Sequence, residues 1–363
     1  MEVPVAGVRW SFRPCGGRRW TGGSLLVAAA LCAPAGGGEE GLSPDQRGRL
    51  IALRGTVQQA PAGSEAWFAA AEELLQLGET GKKELRAVLD LKLRGLRTQY
   101  LGAFALRARR LLADRLAESA RQSGRNELDR EIRGLRADVA GLLSSGGLSK
   151  ARIQSTADPA IKRLSELLLV DPTDVLKGEA ELSARRTALH AVLGLRDRVD
   201  RPAGGNAKTD LAAVEETGVL LAIPADAYAR RMIEHNARHE GELQAEEAAG
   251  IRTLNRIRLL LAMPALQVDL RLCQAARDHS RDMVERRFFS HVSPVPGKRS
   301  FGQRARRAGT RASGENIAAG TSTGAGAIRM WFHSPGHLRN MLGRHRRVGL
   351  GRARKTWTML LGR

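Results

Sequence analysis

Residues 313–337, SGENIAAGTSTGAGAIRMWFHSPGH, decide the interpretation of the last third of this chain. The stretch begins with a Gly-Glu-Asn triplet, continues through glycine-rich sequence into a helical pattern around Trp331, and is interrupted at Ser334-Pro335-Gly336-His337. Its glutamate, Glu315, is the only Asp or Glu that follows Glu285. One carboxylate and one histidine therefore flank the predicted helix, and both are residue types that bind metals or transfer protons.

The sequence on either side alternates helices with short strands. Upstream, a helical pattern runs from near Glu246 to Leu261 and is ended by Pro264. Asp269 is placed to cap a second helix. A Pro- and Gly-rich loop after His291 leads to a third helix near residues 301–308. Downstream, a tight turn joins two strand patterns, at 348–352 and 356–361.

The order of these motifs resembles the CAP superfamily, which comprises cysteine-rich secretory proteins, antigen 5 and pathogenesis-related proteins. The similarity is greatest to the short bacterial secreted branch. It implies an α+β fold, in which a C-terminal α-β-α sandwich follows a mostly α-helical region. The matching residues are Leu254-Asn255, Arg258, Leu266, Asp269, Leu272, Ala275-Ala276, His279-Ser280-Arg281-Asp282-Met283, Phe289-Ser290-His291, Gly314-Glu315-Asn316-Ile317, Trp331, Ser334-Pro335-Gly336-His337, Asn340, Val348-Gly349 and Gly351.

The resemblance also implies a surface cleft with two histidines and two acidic residues. His291 and His337 match the histidines, and Glu315 matches the first acid. The second acid has no counterpart here, although His333 lies near the gap and can occupy some of its space. The resemblance thus predicts a cleft of three residues in place of the usual four.

Two imidazoles that face one carboxylate allow more than one chemistry. They can bind a divalent metal, for which His291 and His337 are the candidate ligands and zinc the expected ion. They can also form an acid/base set, since histidine titrates near neutral pH. A third interpretation is a structural hydrogen-bond cluster. No serine nucleophile is indicated, because Ser290 and Ser313 lack a Ser-His-Asp context.

The N-terminus has the pattern of a secretory signal peptide over residues 1–35. An arginine-rich leader precedes a short apolar run from Leu25, and Ala33-Pro34-Ala35 supplies the small residues of a cleavage site. The apolar run is too short to span a bilayer as a helix. Removal of this segment would leave Cys273 as the one cysteine, in an apolar helical pattern that predicts a core position. We expect a secreted or cell-envelope location.

Residues 36–250 are predicted to be helical and to carry no identifiable chemistry, and residues 251–363 to form the CAP domain. Apolar residues recur at helical spacing over 85–100, 128–142 and 161–168, with a turn at 144–147 and a linker at 201–206. His235 and His239 are spaced to share a metal, but the H-E-x-x-H order is absent and no third ligand is evident. A solvent-exposed helix face is the favoured interpretation of this pair.

The charge of the chain is concentrated at its C-terminal end. Residues 252–363 hold 23 Lys+Arg against 5 Asp+Glu, whereas residues 36–251 hold 32 of each. Such a basic domain suits anionic envelope polymers, lipids or another protein, although 21 of the 23 cations are arginine, which also fits an arginine-rich composition. There is no specific nucleic-acid motif.

Two functions are consistent with these observations. The favoured one is a non-enzymatic binding or interaction module whose His/Glu cleft takes a divalent metal. The alternative is a metal-dependent hydrolase that acts on peptide or cell-wall substrates. The missing second acid favours the binding module.

Overall fold

The structure, a computed structural model, describes residues 42–200 and 207–363. The predicted signal peptide and the linker at 201–206 lie outside the described residues. The chain divides into two compact units, one that ends at Leu91 and one that begins at Lys92. This division does not test the domain boundary that the sequence predicts near residue 250, which stays a prediction.

The described part of the first unit contains two helices and the beginning of a third, which continues past the boundary. They are α1 (Pro44–Gln59), α2 (Glu65–Gln76) and α3 (Gly78–Ser123). Ser43 and Ser64 cap the first two, each accepting a hydrogen bond from a backbone N–H in the first turn. Trp67 and Leu74 of α2 are fully buried.

The second unit begins with the rest of α3 and a series of helices, which confirms the predicted helical region. These are α4 (Arg125–Ser144), α5 (Lys150–Arg152), α6 (Asp158–Leu168), α7 (Pro172–Leu176), α8 (Ala180–Asp200), α9 (Ala207–Ala222) and α10 (Ala227–Arg238). The predicted apolar stripe at 128–142 lies on α4, where Leu128, Val139 and Leu142 are buried. The turn predicted at 144–147 follows α4.

The C-terminal part forms the expected α-β-α arrangement. Its helices are α11 (Ala245–Leu260), α12 (Leu270–Glu285), α13 (Phe301–Arg307), α14 (Gly324–Phe332) and α15 (Pro335–Met341). Its strands are β1 (Gln267–Val268), β2 (Gly314–Ala319), β3 (Arg347–Ala353) and β4 (Thr356–Gly362). The sheet order is β1-β3-β4-β2, in which only the β1–β3 pair is parallel.

Helix α12 packs closely on the sheet because two glycines of β3 face it. A Cβ at Gly349 would lie 2.3 Å from the carbonyl carbon of Leu272, and one at Gly351 would lie 2.1 Å from the backbone nitrogen of Arg277. Any side chain there would push the helix away. Asp269 caps α12 as predicted, accepting from two backbone N–H groups, and Cys273 is buried in the core.

The helical region and the C-terminal part share a core. Val139 and Leu142 of α4 and Ile153 lie in the same buried cluster as Leu254 and Trp331. The edge of the sheet is also covered, since the Asn236 amide oxygen of α10 accepts from the backbone N–H of Val268 at 2.8 Å. Across the described residues, no helix is both long and apolar enough to cross a membrane.

Candidate functional site

Glu315 lies in strand β2 with only 1 % of its side chain exposed. One carboxylate oxygen, Oε1, is 2.8 Å from Nδ1 of His291. The other, Oε2, accepts from Nη2 of Arg304 at 2.5 Å. A buried carboxylate needs such partners, because an unpaired buried charge is costly. Glu315 is therefore held on both sides, and its charge is balanced within the protein.

Arg304 also fixes the loop that carries His291. It projects from α13, whose first turn is capped by Ser300. Its guanidinium donates to the backbone carbonyl of His291 at 3.1 Å and to that of Lys298 at 2.7 Å. The planar fork of arginine suits such simultaneous contacts. One buried side chain thus ties the His291 loop to strand β2.

This arrangement selects the tautomer of neutral His291. Glu315 is an acceptor for Arg304, so the short contact to His291 is best made by an Nδ1–H donor. The neutral ring then carries its lone pair on Nε2. With 53 % of its side chain exposed, His291 is accessible from the cleft. Phe289 and Val292 of the same loop are exposed as well, each at 54 %.

His337 faces His291 from helix α15. The two ring centroids are 6.5 Å apart, with an interplanar angle of 54°. The helix is attached to β2 through asparagines: Asn316 donates to the backbone carbonyl of His337 at 3.1 Å, and Asn340 donates to the side chain of Asn316 at 2.9 Å. Burial, and then the neighbouring His291, lower the pKa of His337. The ring is thereby favoured in its neutral form, which can bind a metal.

A third histidine, His279, lies behind the cleft. Its side chain is fully buried, with Nε2 4.0 Å from Oε2 of Glu315 and 3.1 Å from the carbonyl oxygen of Ser290. Burial, and then the charge of Arg304, lower the pKa of His279 to about 4. A neutral imidazole that donates to the loop carbonyl supports the loop from below, in a structural role.

The donor chemistry of the cleft fits a divalent ion held by two histidines. The ring centroids are 6.5 Å apart, whereas zinc–nitrogen bonds of about 2.0–2.1 Å place two imidazoles on one tetrahedral ion with centroids roughly 5 Å apart, so the rings must approach by more than about 1 Å to share an ion. Glu315 would act behind His291, as carboxylates do behind many ligand histidines. Among the described residues there is no group of three or more His, Cys, Asp and Glu side chains placed to hold a metal. Any ion here would keep open positions for water or an external ligand.

Two residues near the site have other partners. His333, which the sequence places near the missing acid, directs Nε2 to the carboxylate of Asp158 on α6, at 2.9 Å. The hydroxyl of Ser313 lies 3.0 Å from Nδ1 of His345 and 3.2 Å from the carbonyl of Leu361. His345 has no carboxylate partner within the described ranges, so the pair is not a complete triad.

Sequence reasoning missed Arg304. It belongs to a run of arginines, most of which are exposed, and composition does not separate it from Arg306 and Arg307. The signal that identifies it is periodicity: Phe301, Arg304, Ala305 and Ala308 form one helical face that is otherwise apolar. A cation on a buried face requires an anionic partner, and Glu315 is the only downstream carboxylate.

Part of the chain is similar in sequence to known proteins. The Cysteine-rich secretory protein (CAP) family model matches residues 251–358. The uncharacterized protein YkwD of Bacillus subtilis is 32 % identical over a region that covers 32 % of this chain and 46 % of YkwD. The uncharacterized membrane protein YlbC of the same organism is also 32 % identical, over 29 % of this chain and 30 % of YlbC.

A solved structure from Bacillus anthracis, an extracellular protein containing an SCP domain, is 32 % identical with a TM-score of 0.31. It is matched over 32 % of this chain and 40 % of that one. This chain spans less than half the length of each relative.

The fold and the cleft together define a small α-β-α domain with paired histidines. Residues 251–358 belong to the CAP family.

Proposed function

We propose that this protein is an exported binding module whose cleft takes a divalent metal through His291 and His337. The observation that carries the proposal is the hydrogen-bonded series Arg304–Glu315–His291, which holds Nδ1 of His291 on Glu315 and its ring 6.5 Å, between centroids, from that of His337. When bound, the ion would supply a Lewis-acidic centre that attracts an anionic or carbonyl-bearing ligand. The residues of the chain bind it and orient its ligands.

The same series favours binding over hydrolysis. A hydrolase of this type uses a free carboxylate or histidine as a base beside the metal ligands. Glu315, the one carboxylate of the cleft, is engaged on both oxygens and only 1 % exposed. Both cleft histidines are assigned to the metal, which leaves no further base among the three predicted residues. The peptide or cell-wall hydrolase is the weaker candidate for this reason.

Zinc titration calorimetry on the full chain tests the proposal. We expect His291→Ala and His337→Ala each to weaken zinc binding by roughly tenfold or more, because each removes a direct ligand. His190→Ala, a change at an exposed histidine of α8, is the matched control and should leave the affinity unchanged. Unchanged affinity in the double cleft variant would refute the proposal.

Export is part of the same proposal. It is supported by the signal-peptide pattern of residues 1–35. N-terminal sequencing of protein recovered from the envelope or medium should give a first residue near Gly36. A chain that keeps Met1 and stays in the cytoplasm would contradict export.

A further inference from the structure

A second basic site lies away from the cleft, where α10 meets the edge of the sheet. It is a crevice of about 510 Å³, here called the arginine crevice. Its wall from the helical region carries His235 and His239. Its other walls carry Arg271, Arg311 and Arg347. The two histidines are half-buried and face this crevice, which differs from the solvent-exposed helix face that their spacing suggests.

The single carboxylate of the crevice is fully used. Oδ1 of Asp269 accepts from the backbone N–H groups of Arg271 and Leu272, at 3.0 and 3.2 Å. Oδ2 accepts from the hydroxyl of Thr310 at 2.9 Å and from Arg347 at 2.5 Å. Asp269 thus balances Arg347 and caps α12 at the same time.

Two arginines are left without an anionic partner. Among the described residues, the guanidinium of Arg271 donates only to the carbonyl of Gly309, at 3.0 Å. The guanidinium of Arg311 has no hydrogen-bond or salt-bridge partner within 42–200 and 207–363. The crevice therefore holds two uncompensated positive charges, in a domain whose net charge is already strongly positive.

We propose that the arginine crevice binds the phosphate group of an anionic ligand. Arginine forks match phosphate oxygens in pairs, and the two guanidinium forks of Arg271 and Arg311 offer more N–H donors than the two oxygens of a carboxylate can use. His239 lies on the opposite wall and donates Nδ1–H to the carbonyl of His235 at 2.9 Å, so Nε2 of the neutral ring can accept from the hydroxyl of a protonated phosphate. The site joins two parts of the chain and goes beyond the metal cleft.

Calorimetric titration of the full chain with inorganic phosphate tests the assignment. We expect saturable binding of one phosphate per chain, weakened roughly tenfold or more by Arg311→Gln, because charge-assisted hydrogen bonds are lost. Arg306→Gln removes an equal charge from an exposed position outside the crevice and should leave binding unchanged. Arg311 is itself exposed, so its replacement should preserve the fold, which circular dichroism verifies.

A second titration, with glycerophosphoglycerol, separates a free phosphate from the phosphodiester of a polymer. Binding of either compound that is lost with Arg311→Gln supports the crevice, and the tighter compound indicates the source. Absence of saturable binding would overturn the proposal, as would equal losses in the Arg311 and Arg306 variants. Loss of phosphate binding in the His291→Ala/His337→Ala variant would place the anion in the metal cleft and also overturn it.

Discussion

At the scale of single residues, the site depends on one buried ion pair. Arg304 and Glu315 are each 1 % exposed, so replacing one leaves the other charged and buried without its partner. We predict that Arg304→Gln lowers the free energy of unfolding by about 3–5 kcal/mol. Arg306→Gln, at an exposed position of the same helix, should change it by less than about 0.5 kcal/mol. Urea unfolding measures the free energy of unfolding of both variants. Similar decreases in the two would show that the buried ion pair stabilises the fold no more than an exposed arginine does.

His279 gives the fold a pH dependence whose sign follows from its burial. The unfolded chain protonates this histidine below about pH 6.5, whereas in the folded chain its pKa is about 4. Stability contributed by neutral His279 is therefore full above pH 6.5 and decreases as the pH falls to 4, by up to about 3 kcal/mol. Unfolding of wild type and His279→Gln at pH 7 and pH 4.5 isolates this contribution. Equal pH dependence in the two proteins would contradict the assignment.

At the scale of elements, the contact of α12 with β3 sets the geometry behind the cleft. Gly351→Ala would place a methyl group 2.1 Å from the backbone nitrogen of Arg277, and backbone yields less readily than a side-chain tip. We predict a destabilisation of about 1–3 kcal/mol from this overpacking. Gly302→Ala in α13, where the nearest atom is 3.6 Å away, should be neutral or stabilising. Thermal unfolding compares them, and a neutral Gly351→Ala would mean that the helix can move aside.

Elements were easier to predict from sequence than the contacts between them. The Asp269 cap, the helix before Pro264 and the two closing strands have local signals, and the structure places them within a few residues of the prediction. Two contacts join distant parts of the sequence. Asn236 accepts from the backbone N–H of Val268, 32 positions away, and Asp158 pairs with His333, 175 positions away. Local periodicity does not predict which distant residues pair. The composition around Arg304 also does not distinguish this buried arginine from its exposed neighbours.

At the scale of the whole molecule, the helical region contributes to the core beneath the CAP domain. Residues of α4, of the π-helical segment Ile153–Ala157 and of α6 share a buried cluster with α11 and α14. We predict that a fragment of residues 245–363 unfolds cooperatively but at a lower midpoint than the full chain, because this apolar surface becomes exposed. Thermal unfolding with a dye that binds apolar surface tests the prediction. A fragment as stable as the full chain, with no dye binding, would contradict it.

The most direct test of the central claim is a crystal structure of the protein soaked with zinc, recorded at the zinc absorption edge. We predict an anomalous peak between Nε2 of His291 and the ring of His337, while Glu315 keeps its contacts to Arg304 and to Nδ1 of His291. The remaining ligands of the ion would be water or buffer molecules. No peak in the cleft at saturating zinc, or a peak on Glu315 with the Arg304 contact broken, would contradict the account.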